Sequence, residues 1–400
     1  MEYNFDEIID RRHTNSAKFD EMDALFGSDV MHLGVADMDY RSPEPILNAM
    51  QKIVKKGVFG NTILPDNYQD LVCQWMLRRY HEKIDPEWVV FSPRINMALN
   101  MVVETFTNPG DGIVLHTPAY TALQNAIEKY DRKMIESSLV LENGRYRMDF
   151  KQLREALDDN LKKGIHTSLM LLCNPHNPTG RVWNKGELDE IASICKDYNL
   201  MLVADEIHAD FVFQGKHHVF ANLKKEYAEW TITCTSPGKT FNLAGLQTSN
   251  IFIPNQKLKN AFKKQLAAAG YSQLNAAGLV ACEAAYRDGE EWYQAMKKYV
   301  AGNIAFTKEF VEKNLPGVNM VEHEGTYLIW LDFNGLGLCA QELEDLIVHK
   351  AKLWLDSGRI FGKCGRGFQR INVACPQSTL KEALERIAEV LPADTIKAAS

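Results

Sequence analysis

From about residue 85 onward the chain alternates short, apolar, β-rich runs with longer amphipathic segments, and nothing else in it restricts the possible folds as much. The runs cover residues 88–91, 112–116, 168–173, 200–204, 231–234 and 250–253. Several are apolar nearly throughout, as strands covered on both faces of a largely parallel sheet must be. Intervening stretches such as 185–199 read as amphipathic crossover helices, so the pattern predicts a doubly wound α/β layer structure. After about residue 285 the texture changes. A long helical stretch (289–314) leads to an alternating strand (325–333), then a helix, a short strand near 370 and a final helix from Ser378. This predicts a second, α+β domain completed by the N-terminal segment, as a length of 400 residues allows. The expected division is 1–45 joining the small domain, 46–285 forming the large domain and 286–400 the small one. Residues 1–40 read as polar and irregular. A helix is expected after Pro43, with Ile46, Met50 and Ile53 on one face.

Charge and cysteines exclude several classes. A net charge of −7, without massed Lys or Arg, argues against nucleic-acid or anionic-membrane partners, which need a basic face. No run reaches the length that crosses a bilayer. The first seven residues lack the basic start and apolar core of a signal peptide, so a cytoplasmic location is expected. The eight cysteines form no C-x-x-C pair and several sit in apolar runs, which predicts buried free thiols rather than disulfides or zinc.

Ligands of open parallel sheets bind at the carboxyl ends of strands, and four motifs fall at or near predicted strands. Asn174-Pro175-His176-Asn177-Pro178-Thr179-Gly180 follows one strand as a rigid turn; its asparagines either face a crevice or cap local backbone. Asp205, in Ala204-Asp205-Glu206-Ile207-His208, either caps a helix or holds a protonated ring nitrogen. Lys239, in Ser236-Pro237-Gly238-Lys239-Thr240-Phe241-Asn242, is either a solvated loop lysine or a desolvated amine suited to a Schiff base. Arg370, in Arg370-Ile371-Asn372, either forms a surface salt bridge or grips a carboxylate with its two-pronged guanidinium.

The order and spacing of these four motifs resemble those of fold-type I aminotransferases and, within that group, the cystathionine β-lyase/cystalysin-like (MalY/PatB-type) carbon–sulfur lyases. The resemblance runs nearly end to end, through Arg11–Lys18, Val35-Ala36-Asp37-Met38-Asp39, Asn108–Asp111, Thr117–Tyr120, Asp205–Asp210, Phe241–Gln247 and Arg370–Ala374. It implies an aspartate-aminotransferase-like α/β fold with a mostly parallel seven-stranded sheet and a smaller C-terminal α+β domain. It implies pyridoxal 5′-phosphate (PLP) as cofactor, an amino-acid substrate and a homodimer. Carried over position by position, Lys239 is the Schiff-base lysine and catalytic base. Asp205 pairs with the pyridinium nitrogen and Asn177 with the phenolic oxygen, with His208 nearby and Tyr120 stacked on the ring. Ser236 and the backbone amides of Ile95 and Asn96 hold the phosphate; Arg370 and Asn177 bind the substrate, Arg370 through its carboxylate.

The implied reaction releases a thiol, pyruvate and ammonia. Transamination shares the same residues and is the alternative, and a PLP-binding regulatory role with little turnover is a third reading. Three positions depart from the family pattern. Arg94 stands where glycine is usual, Asn61 where a tyrosine reaches across the dimer to the phosphate, and Gly238 where serine is common. The Arg94 side chain has two possible placements: inward, as a cation near the phosphate, or outward, as a solvated loop arginine.

Overall fold

The apolar runs become strands because they are rich in Val, Ile and Leu and alternate two covered faces. The computed structural model describes residues 3–391. In chain order the large sheet comprises β1 (Val89–Ser92), β2 (Gly112–Thr117), β3 (Lys133–Ser138), β4 (Thr167–Cys173), β5 (Met201–Asp205), β6 (Thr231–Thr235) and β7 (Ser249–Phe252). Their spatial order is β1-β7-β6-β5-β4-β2-β3. β7 pairs antiparallel with both β1 and β6, and the other neighbours pair parallel. The family's implied seven strands are present; β3, with the half-polar sequence Lys-Met-Ile-Glu-Ser-Ser, is the one that no apolar run announces.

Period two divides the sheet's side chains between two layers. Ile113, Leu115, Leu169, Leu171, Val203 and Ile232 pack toward the helices Ile95–Phe106, Thr121–Glu128 and Gln256–Ala268. Val114, Met170, Leu172, Leu202 and Ala204 pack toward Phe150–Lys162 and Lys185–Asp197. Truncating one such side chain, as in Leu171→Ala, costs about 2–5 kcal/mol through lost burial and the cavity left behind.

A second, antiparallel sheet has the order Asn319–Met320, Leu328–Asp332, Phe368–Asn372, Asp356–Ser357, flanked by the long helix Glu290–Asn314 and the helix Gln377–Val390. The expected strand 325–333 is shorter than its alternation suggested. At Gly325 a Cβ would meet Val182 Cγ2 at 2.8 Å and the carbonyl oxygen of Phe211 at 3.0 Å, so the backbone runs too close to its neighbours for a side chain. Thr326 then adopts φ 73°, outside any strand. The ends of the expected segments, residues 1–2 and 392–400, lie outside the described residues.

Residues 1–40 are not wholly irregular. Within them Ala17–Phe26 is helical, and Met31–His32 pairs parallel with Leu353–Trp354. The polar residues that made this stretch look irregular include several committed to ion pairs. Arg11 forks onto Asp37 and reaches Asp39 at 2.7 Å, while Lys18, only 1% exposed, meets Asp39 at 2.6 Å. All eight cysteines are free, five of them buried; Cys339 is exposed. Among the described residues no helix is long and apolar enough to cross a membrane.

Candidate functional site

Because β1, β2, β4, β5 and β6 run parallel, their carboxyl ends share one edge of the sheet, and each hands over a candidate residue there. One cavity at this edge is lined by Arg94, Ile95, Asn96, Tyr120, Asn177, Asp205, His208, Ser236 and Lys239, together with Ala36, Gln247 and Thr248. Eight of the nine expected site residues therefore line one cavity. The ninth, Arg370, lies behind it on the second sheet and touches Asn177 Oδ1 through Nη1 at 2.9 Å.

Lys239 sits in a single helical turn, Pro237–Thr240, directly after β6; the Ser236 hydroxyl caps it by accepting from the N–H of Gly238 at 2.9 Å. Lys239 is half-buried at the cavity wall, where Nζ donates to the Ala36 carbonyl at 2.5 Å. Burial pushes the Lys239 ammonium down to about 8, and the charge of Arg370 adds to the push. Asp37 and Asp205 oppose it, and Arg94 lowers it further. A solvated loop lysine is therefore not what the fold builds.

Asp205 ends β5, is 5% exposed and has no helix after it to cap; Oδ1 accepts from the N–H of Ile207 at 3.2 Å. Burial pushes its carboxyl up to about 6, against that hydrogen bond and the nearby Lys239 charge. His208 is buried and held neutral, mainly by burial, with Nδ1 lacking a partner. In the Asn-Pro turn the two asparagines divide the work. Asn174 accepts from the N–H of Trp183 and shapes the loop, whereas Asn177 meets Arg370.

Arg370 is buried rather than superficial. It forms an ion pair with Asp356, donates to the Gly34 carbonyl at 3.1 Å, and its Nε has no partner. Tyr120 follows β2 and lies half-buried beside Asn96. The helix Ile95–Phe106 begins at the cavity, so the N–H groups of Ile95 and Asn96 belong to the turn that has no intrahelical acceptor.

Several contributors escaped the sequence reading. The Ala36 carbonyl also accepts from the Tyr327 hydroxyl at 3.0 Å. Asn242 and Asn372 pin residues 35–40 by bonding Met38, Tyr40, Val35 and Asp37. Asp356 had a legible signal: a lone acid in Leu353-Trp354-Leu355-Asp356 is a charge that burial must pair. Tyr327 had none, since its contact with Ala36 joins residues 291 positions apart.

These residues fit PLP. A buried carboxylate short of partners suits a protonated ring nitrogen, a desolvated amine suits the aldehyde, and orphan amides at a helix start suit a phosphate. No group of His, Cys, Asp or Glu among the described residues is arranged to hold a metal ion.

Known proteins resemble this chain along nearly its whole length. The chain is 39% identical over 390 residues to the cystathionine β-lyase PatB of Bacillus subtilis, covering 97% of this chain and all of that one. The structure of cystalysin from Treponema denticola, which contains a PLP cofactor, matches with a TM-score of 0.93 at 36% identity over the full length of both chains. A PLP-bound C–S lyase from Staphylococcus hominis matches with a TM-score of 0.89 at 32% identity over 98% of each chain. The family model described as aminotransferase class I and II covers residues 28–387. The chain belongs to that family, the class I and II aminotransferases.

Proposed function

We propose that this protein is a PLP-dependent carbon–sulfur β-lyase that acts on cystathionine or S-substituted cysteines and releases a thiol, pyruvate and ammonia. The observation that carries the cofactor chemistry is the pairing of a desolvated Lys239 amine with a buried, under-partnered Asp205 at adjacent strand ends. Full-length similarity to a cystathionine β-lyase and to C–S lyases supports the choice of reaction.

Bound in this cavity, PLP supplies an electron sink for negative charge developing at the substrate Cα. Lys239 takes the Cα proton; an amine with a pKa near 8 is poised for that transfer close to neutral pH. Asp205 holds the proton on the ring nitrogen. Asn177 serves the phenolic oxygen while orienting Arg370, which grips the α-carboxylate with a fork already braced by Asp356 and Gly34. Tyr120 covers a ring face, His208 packs nearby as a neutral imidazole, and Ser236 with the amides of Ile95 and Asn96 holds the phosphate.

The same reading places residues 46–285 around the cofactor and 286–400, with 1–45, in a smaller domain. It makes the protein a homodimer, supported by the exposed apolar residues Val58, Phe59 and Ile63, the last 84% exposed. A reducing cytoplasm suits its free thiols.

The test is to supply the purified protein with cystathionine and no keto-acid acceptor. Pyruvate should appear, and Lys239→Ala should lose both pyruvate and the visible cofactor band while keeping its circular dichroism spectrum. Amino transfer to the cofactor without pyruvate would make the protein an aminotransferase. A Lys239→Ala variant that stays yellow after dialysis, and that borohydride bleaches with the cofactor left covalently bound, would remove the lysine assignment.

A further inference from the structure

The phosphate end of the cavity is short of positive charge. On the PLP reading the phosphate meets the amides of Ile95 and Asn96 and the hydroxyl of Ser236, and Gln247 and Thr248, which also line the cavity, are neutral as well. The Ser236 hydroxyl is already engaged, donating to the Thr248 carbonyl at 2.7 Å and accepting from the N–H of Gly238. A phosphate monoester carries about −1.5 to −2 charges near pH 7, and a helix start offsets roughly half a charge. Lys239 is committed to the cofactor's aldehyde. Among the described residues lining the cavity, the remaining permanent cation is Arg94.

Arg94 stands immediately before the helix Ile95–Phe106 in extended backbone, φ −147° and ψ 150°, which any residue adopts, so the fold does not ask for glycine there. The residue is exposed, no described carboxylate pairs with it, and it lines the cavity. Its charge also reaches Lys239, which it helps to depress.

Resting on the PLP reading above, we propose that Arg94 is a phosphate-binding residue, supplying the charge that an otherwise neutral phosphate cup lacks. A guanidinium also suits this task because its planar fork meets two phosphate oxygens at once.

The experiment titrates apoenzyme with PLP and, separately, with pyridoxal, which has no phosphate, for wild type, Arg94→Gln and Arg94→Gly. Binding is read by the visible band at about 0.1 M and about 1 M salt, where the Debye length falls from about 10 Å to about 3 Å. We expect both variants to weaken PLP binding about 10-fold at the lower salt, with the gap shrinking to about 2-fold at the higher, and pyridoxal binding to stay unchanged. Equal PLP affinities for all three proteins at both salts would overturn the proposal while leaving the PLP reading intact. Equal losses for PLP and pyridoxal would overturn it too, because the phosphate would then not be the contact. So would unchanged PLP affinity with a raised KM for substrates bearing a distal carboxylate. If wild type captured neither compound, both this inference and the cofactor reading would fall.

Discussion

Asp205 should cost the apoenzyme stability that the cofactor returns. Its carboxyl is 5% exposed, and burial raises its pKa from an ordinary 3.8 to about 6. At about 1.4 kcal/mol per pH unit of difference, the ionised form is destabilised in the folded protein by about 3 kcal/mol. The sign follows from proton counting. Between pH 3.8 and 6 the folded state holds this proton and the unfolded state does not, so stability falls as pH rises through that window and stays reduced above it. Asp205→Asn removes the titration. It keeps an oxygen for the Ile207 N–H but leaves an amide with unmet donors, which offsets about 1 kcal/mol. The net expectation is that the Asn apoenzyme is about 2 kcal/mol more stable than wild type at pH 7.5 and no more stable at pH 4. For a chain of this size that is a rise of about 2–3 °C in Tm. Adding PLP should reverse the order, because a protonated ring nitrogen satisfies the carboxylate and gives nothing comparable to the amide. The assay is thermal unfolding of both apoenzymes from pH 4 to 8, with and without cofactor. A wild-type apoenzyme at least as stable as the variant at pH 7.5, or a difference that does not depend on pH, would refute the argument that Asp205 is a buried charge awaiting a cation.

Three further expectations can be checked independently. Capture of the PLP aldehyde by apoenzyme should accelerate with pH around a midpoint near 8 rather than 10.5, following the depressed Lys239 amine; stopped-flow absorbance reads this directly. Arg370→Lys keeps a cation beside Asp356 but loses the fork, so KM for amino acids should rise about 10- to 150-fold, and an unchanged KM would remove the residue from carboxylate binding. Lys18→Met deletes a buried partner of Asp39 and should destabilise the protein by about 3 kcal/mol, with faster proteolysis before residue 40 as the accompanying signature.

What the sequence determined by itself was whatever depends on neighbours along the chain. Apolar runs of the right length placed six of the seven large-sheet strands to within a residue or two, because burying both faces of a parallel strand demands such runs. Turn residues after those strands marked where the chemistry collects, since strand ends, Asn-Pro steps and a Gly-Lys turn are local features. β3 stayed hidden because an edge strand can be half polar, and the N-terminal 40 residues looked irregular because ion pairs such as Arg11–Asp37 and Lys18–Asp39 replace a periodic apolar face. Only the tertiary structure decided where side chains point. It set Lys239 on the Ala36 carbonyl, 203 positions away, and turned Arg370 from a possible surface charge into a buried fork held by Asp356 and Asn177. It also brought Arg94 to the wall of the cavity. These are long-range contacts, and their free energy comes from burial and charge pairing between segments whose local patterns carry no record of one another.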